Sequence, residues 1–572
     1  MPDLPNNPPS GRKSFNDLST ETRLLIAFVL MGVVLFLTPY FYKPPAGPKP
    51  VAPAATPTQA AVETTKPPEA AAPAQTVETA PAAGHIGDQA EREFVVDTDL
   101  YRIRFSNRGA VVRSWVLKKF LDHTNKPLEL VNAASFASVP PPFSVTFADR
   151  QDAAALNSAL YAAKPTDDNL GIDYEYSDGK NVCRKSFRFG RNSYLSQVTS
   201  EVVENGKPTP HLLEWRGGFG DATVLNRAAL QHALYYSVPD GKLNTKDFKA
   251  AKDGPFTASG NYSFAGLDDT FFAAVFLTRE NGSTDVRVFK DDAPIAPNGK
   301  AEPHVGAAVG GDAENHFQLF VGPKDIDILR KVDPKLQQVI DWGFFGVIAK
   351  PLFLALHFIN DNIVHNYGWS IVLITIVINL VLLPLRLTGM KSARKMQALK
   401  PQVDAINAKY KDVGLRDPRK AEQNQEIMEL YKKGGANPLG GCLPLVFQIP
   451  ILYAFYKVLT VTIEMRGAHW LWVIDLSQPE SLPLHILPIV MIITQFITQR
   501  MTPSPGVDPA QQKIMQFMPL MFGFFFYNMS SGLVLYWLTG NLVGIAQQWL
   551  INKITPMPVV EPPKPAPKKK KG

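Results

Sequence analysis

Cysteine is almost absent. There are two in 572 residues, Cys183 and Cys442. They fall in segments assigned below to opposite sides of a membrane, which argues against an intramolecular disulfide, and two thiols make no cysteine-based metal site. No repeat of solenoid length is present. Histidines and carboxylates occur between residues 92 and 325, but none at metal-ligand or triad-like spacing. The apolar runs of the second half carry no acidic residue at mid-span, which counts against the carboxylate relay of proton- or cation-coupled transporters. They hold no serine, histidine and carboxylate set for intramembrane hydrolysis and none of the paired broken segments of inverted repeats. Charge is nearly balanced, 59 Lys plus Arg against 52 Asp plus Glu, so the small excess matters only through its placement.

What the chain has in quantity is long apolar segments. Trp369 to Leu385 is uncharged, about 26 Å of helix, nearly a hydrocarbon core. Asn379 sits near its middle, the run stops at Pro384, and Arg386, Lys391, Arg394 and Lys395 follow. A spanning helix with a polar residue at depth and a basic exit is a candidate functional site. The plainer reading of Asn379 is a hydrogen bond to a neighbouring helix.

The N-terminal segment 1–22 is polar. A first transmembrane anchor over 23–43 ends in aromatics where small residues would precede cleavage, which favours an uncleaved anchor with its N-terminus inside. Residues 44–91 are rich in Pro, Ala and Thr and read as an extended linker. From 92 to 330 the pattern changes to short strands. Tyr101 to Phe105 alternates apolar and basic residues, Asn107-Arg108-Gly109 supplies a turn, and Ala110 to Leu117 a second strand. Further candidates are Tyr194 to Val203, Phe271 to Leu277, Asp285 to Phe289 and Phe317 to Val321. This pattern predicts a β-sandwich-like domain, a binding or spacing module on a span-plus-linker tether rather than an enzyme. Residues 331–367, with Lys350-Pro351 inside an apolar run and Trp342, Phe344 and Phe345 at its start, read as an interfacial amphipathic helix. A spanning segment is the alternative.

Residues 368–554 predict five spans, at 368–387, 437–463, 482–500, 514–530 and 532–552, with a cytoplasmic helical hairpin at 388–436. In the hairpin Met396, Leu399, Val403, Ile406 and Tyr410 make a helical stripe; Asp417 and Pro418 start a second helix that ends at Gly434-Gly435. With the first anchor this makes six spans. That count puts the basic hairpin, Arg500 with Lys513, and the tail 555–572 with Lys568, Lys569, Lys570 and Lys571 inside, as the positive-inside pattern requires. The fold class is therefore a polytopic α-helical membrane protein carrying a β-sandwich-like domain on the outer side. Polar residues at depth, among them Asn379, Gln448, Gln495 and Asn541, face a bundle interior or a wet cavity. With methionine- and phenylalanine-rich helices around them, they suit a chaperone of other membrane helices. A small-solute transporter or channel is the rival class. Lys391, Arg394, Lys395 and the four terminal lysines suit lipid headgroups or an RNA-bearing partner.

Specific motifs follow the same order. They are Leu383-Pro384-Leu385 with Met390 to Pro401, Asn437 to Pro444, Gln448-Ile449-Pro450, Asp508-Pro509 with Gln511 to Met515, Phe517-Met518-Pro519, and Ser531 to Trp537. From Gly368 onward the chain resembles the YidC membrane-protein insertase family, and the segments before it match the layout of Gram-negative members with a large periplasmic domain. The resemblance implies a five-helix insertase core in the inner membrane, with a hydrophilic groove open to the cytoplasm and to lipid. It implies nascent membrane proteins as clients and cooperation with the Sec translocon and translating ribosomes. No cofactor, metal or small-molecule substrate is implied. Tyr536 and Trp537 match an aromatic pair associated with client contact. One position departs: the family places a positive residue five before the proline matching Pro384, and here that residue is Asn379. Arg386, seven residues on, is the nearest positive charge on the same side of an unkinked helix.

Overall fold

The structure, a computed structural model, describes residues 84–554 apart from 123, 151–152, 225–229, 279–281, 297–298, 411–416, 418, 437–442, 502–518, 522 and 525. The expected anchor, most of the linker, Cys442, the motifs at 437–442 and 508–518, and the terminal lysines lie outside the described residues. The expected span 514–530 is described only from Pro519 on, apart from 522 and 525.

Alternation builds the β-domain. In strand Tyr101–Ser106, Tyr101, Ile103 and Phe105 are buried while Arg102 and Arg104 face water. The chain turns through Gly109 at φ 76°, where any Cβ would lie 2.4 Å from the Asn157 carbonyl, and returns as Val111–Leu121. The other expected strands form as Leu195–Glu204, Phe272–Leu277, Thr284–Pro294 and Glu314–Pro323. Among the described residues they assemble into sheets of four, ten and five strands. Aromatic rings fill the space between them: Phe105 meets Phe187 with centroids 4.9 Å apart, and Phe143 meets Trp215 at 5.9 Å.

The helices follow. Asp325 caps α1 (Ile326–Val332), accepting from the amides of Asp327 and Ile328. α2 (Gly346–Ile359) continues as a π-turn to Val364 and accommodates Pro351 in its interior. One stripe of α2, Ala349, Phe353, Leu356 and Ile359, is buried, while Val347, Leu354 and Phe358 stay exposed. α3 (Tyr367–Val381) and α4 (Leu383–Ala398) are bent by 57°. Pro384, which lacks an amide hydrogen, starts the second of them.

α5 (Lys400–Lys409) and α6 (Arg419–Lys433) form the expected hairpin around Met396, Val403, Tyr431 and Ala436, with Leu399, Ile427 and Leu430 against them. α7 (Leu443–Val461), α8 (Ile486–Met501) and α9 (Ser531–Ile554) complete the bundle.

Length and composition rank these helices differently from the sequence reading. Among the described residues, Gly346–Val364, 19 residues long, is the one helix that alone can cross a membrane. The bent α3–α4 pair qualifies as one broken span, and Phe447–Val461 and Ile486–Met501 are apolar but short. The protein thus has a large β-sheet domain and, among the described residues, one helix that by length and composition is able to cross a membrane unaided.

Candidate functional site in the helical core

α9 organises the site. Its Tyr536, Trp537, Asn541 and Gln547 reach four other helices. The Tyr536 hydroxyl accepts from Gln448 Nε2 on α7 at 2.8 Å, and its ring stacks on Phe455 with centroids 4.2 Å apart. Trp537 Nε1 donates to Gln495 Oε1 on α8 at 3.0 Å, and its ring packs near Phe526 at 5.1 Å. Asn541 Nδ2 donates to Thr494 Oγ1 at 3.2 Å. These pairs tie α9 to α7 and α8, so Gln448, Gln495, Tyr536, Trp537 and Asn541 all have partners within the bundle. Tyr536 is buried at 3% exposure, a packed position rather than an open one, while Trp537 is half-buried.

Asn379 and Arg386 meet at Gln547, which the sequence reading did not single out as a site residue. Gln547 Nε2 donates to the Asn379 carbonyl at 3.3 Å, and Arg386 Nη1 donates to Gln547 Oε1 at 3.2 Å. The bend at Pro384 therefore leaves the two polar positions of α3 and α4 joined through one amide. The signal for Gln547 was another amide in an apolar helix, six residues after Asn541. Asn379 Nδ2 is engaged within its own helix, donating to the Thr375 carbonyl at 2.7 Å. Thr375 and Ser370 do the same, each hydroxyl donating to the carbonyl four residues earlier. Among the described residues Arg386 is half-buried and has no carboxylate partner.

The basic residues of α4 separate. Arg394 donates to Asn552 Oδ1 on α9 at 2.6 Å, and Lys395 donates to the Gly435 carbonyl at the end of α6 at 3.1 Å. Lys391 is exposed.

At the other end the bundle meets the β-domain. Arg466, just past α7, donates from Nη2 to the Leu121 carbonyl at 2.7 Å and pairs with Asp221. Its guanidinium lies 5.4 Å and 5.5 Å from the Phe271 and Phe272 rings. Lys457 Nζ pairs with Asp341 at 2.6 Å; burial works against the Asp341 carboxylate, but this ammonium holds its pKa below the usual range. Glu464 is pushed up to about 8 by burial, with Asp325 and Asp327 adding to the shift. Its Oε1 is enclosed without a hydrogen-bond partner. The β-domain is docked onto the helices, where the sequence suggested only a tether.

No group of three or more His, Cys, Asp or Glu among the described residues is placed to hold a metal ion.

The family model described as YidC periplasmic domain matches residues 93–355, and the model described as 60Kd inner membrane protein matches residues 358–558. A membrane protein insertase YidC of Geotalea uraniireducens (strain Rf4) is 32% identical over 556 residues, 94% of this chain and 100% of that one. The chain belongs to the YidC membrane protein insertase family. A second YidC, from Geobacter sp. (strain M21), is 33% identical over 480 residues, covering 81% of this chain and 86% of that one. The solved structure titled "Active YidC insertase crystal structure with the first transmembrane domain resolved" aligns at 19% identity and a TM-score of 0.35, over 81% of this chain and 93% of that one. As a YidC protein the chain is an inner-membrane insertase and chaperone with a periplasmic domain, and its sheets form that domain.

Proposed function

We propose that the bent α3–α4 pair, α7, α8, the segment 514–530 and α9 act as five spans around a hydrophilic groove that lowers the barrier to inserting membrane proteins. A hydrophilic tail that crosses the hydrocarbon loses its water, which costs several kcal/mol for each unsatisfied polar group. A polar groove reaching partway in shortens that crossing, and burial of the client's apolar helix in lipid drives it.

The observation that carries this reading is Arg386: half-buried, held by the Gln547 amide, and without a carboxylate partner among the described residues. A cation so placed attracts an acidic client residue. In this reading Arg386 supplies from the next turns the charge that the family places at the position of Asn379. The amide of Gln547 links it to that level.

The finer topology belongs to the same proposal. Six spans put both termini in the cytoplasm, and α2 lies along the outer interface with its exposed Val347, Leu354 and Phe358 in lipid. The basic hairpin and the lysine tail contact ribosomal RNA or anionic headgroups, and the Sec translocon works beside the core.

Reconstituted protein is supplied with paired single-span clients whose translocated tails differ only in Asp against Asn, and protease-protected insertion is measured. Arg386→Gln is expected to slow the Asp tail several-fold and to leave the Asn tail near its original rate. Equal slowing of both tails overturns the charge-pairing role. No insertion by the wild-type protein, with flux of a small solute instead, overturns the groove.

A further inference from the structure

The outer face of the five-stranded sheet carries a cleft of about 580 Å³. It is independent of the helical groove. The sheet runs, edge to edge, through strands Phe256–Gly260, Thr284–Pro294, Ala301–Gly310, Leu212–Trp215 and Ser144–Thr146. Register sets Glu214 opposite Ala308, and Ala308 opposite Arg287. Residues directly opposite share a face, so Glu214 and Arg287 stand on either side of one methyl group, their backbones about 10 Å apart. Along the middle strand Gly306 makes room for Asp291 and Arg216, whose side chains a Cβ there would meet at 2.8 Å and 3.1 Å.

Most polar groups in this cleft are already satisfied. Arg216 pairs with Asp291 at 2.5 Å, and Asp291 also accepts from the Gly217 amide at 2.9 Å. Lys290 pairs with Asp292 at 3.0 Å. Both ends of the Asn157 amide are bound to the Val145 backbone at 2.8 Å. Among the charged groups three are left. Arg287 donates to the Phe147 carbonyl at 2.9 Å and lies 5.4 Å from the Phe289 ring, but its Nε is enclosed without a partner. Lys252 stands exposed at the rim. Glu214 is 3% exposed, and among the described residues its carboxyl accepts no hydrogen bond; the nearest cation, Arg216, is 3.9 Å away.

We propose that this cleft binds a small organic anion, a carboxylate or a phosphodiester, between Arg287 and Lys252, with the protonated carboxyl of Glu214 donating a hydrogen bond to it. Phe289, Val145, Pro140 and Pro255 provide the apolar walls for the rest of the ligand. Burial pushes Glu214 up to about 7. Arg216, Arg287 and Lys185 pull in the opposite direction, and Asp291 adds to the rise. Below that pH the carboxyl is a neutral donor facing the anion; above it, a second negative charge repels the anion. Binding therefore tightens as pH falls through about 7.

The full-length protein, in nanodiscs of zwitterionic lipid, is titrated calorimetrically with propionate and with glycerophosphoglycerol, which keep constant charge near neutral pH. Affinity is expected to be about tenfold higher near pH 6 than near pH 8. Arg287→Gln is expected to weaken binding about tenfold, with Arg287→Lys recovering part of it. Glu214→Gln, an uncharged donor of the same shape, is expected to bind near pH 8 as the wild type does near pH 6. Circular dichroism checks that each variant is folded. Replacing part of the lipid with phosphatidylglycerol separates the two sources: loss of calorimetric binding assigns a headgroup, and unchanged binding assigns a free anion. No binding of either probe, or an Arg287→Gln variant that binds as wild type, overturns the proposal.

Discussion

Arg466 and Asp221 form an ion pair across 245 residues of chain, with side chains 6% and 2% exposed. The pair joins the segment after α7 to the periplasmic domain, and two phenylalanine rings flank the guanidinium. Removing one partner leaves the other charge buried without a counter-charge. Asp221→Asn is expected to destabilise the docked arrangement by about 3–5 kcal/mol, and a paired apolar replacement of both residues by much less. Protease accessibility between residues 331 and 345, with thermal unfolding in detergent, measures this. A single substitution without effect on either shows that the pair does not hold the two parts together.

Glu464 adds a pH dependence to the same junction. Its folded-state pKa lies near 8, raised by burial with Asp325 and Asp327 beyond. A carboxyl raised in this way contributes stability that is full below its unfolded value of about 4.5 and is lost as pH rises through about 8. Docking should weaken progressively between about pH 5 and about pH 8 and level off above that, and Glu464→Gln should abolish that slope. Unfolding temperatures of wild type and variant across this range make the comparison. Parallel curves would remove Glu464 from the account.

The link through Gln547 predicts a rescue. If charge at this level of the groove is what acidic tails need, Asn379→Arg restores part of the insertion lost in Arg386→Gln. Gln547→Leu, which removes the amide from both Asn379 and Arg386, is expected to slow acidic tails about as much as Arg386→Gln does. Insertion of the paired Asp and Asn clients reads both effects. Absence of rescue, with the double variant folded, places the required charge at Arg386 alone.

The hairpin of α5 and α6 rests on a small core. Val403 is 2% exposed among Met396, Tyr431 and Ala436. Val403→Ala is expected to cost about 2 kcal/mol locally. Hydrogen exchange of residues 396–436 should quicken, while exchange in the β-domain stays as it was. Slowed insertion in this variant would tie the hairpin to function.

Local rules in the sequence reached the local structure. Alternation placed Tyr101, Ile103 and Phe105 inside, and spacings of three and four placed Met396 and Val403 on the hairpin's inner face. Asp417 accepts from the Arg419 amide at 3.0 Å where a helix start was expected. The chain bends by 57° at Pro384, more than the comparison of Asn379 with Arg386 along an unkinked helix tolerates. Contacts that depend on distant packing were not legible. Nothing beside Asp221 announces Arg466, and nothing local marks Gln547 over Gln548 as the residue that meets both Asn379 and Arg386. Glu214 lies outside the strands expected from the sequence, and only the sheet register sets it beside Ala308 with Arg287 on the far side.

Ser370, Thr375 and Asn379 each hold a carbonyl of their own helix, four residues back. All three side chains are almost fully enclosed, so these bonds satisfy polar groups where water does not reach. α3 is thereby self-sufficient: it carries a serine, a threonine and an asparagine through apolar packing without drawing a partner from any neighbouring helix.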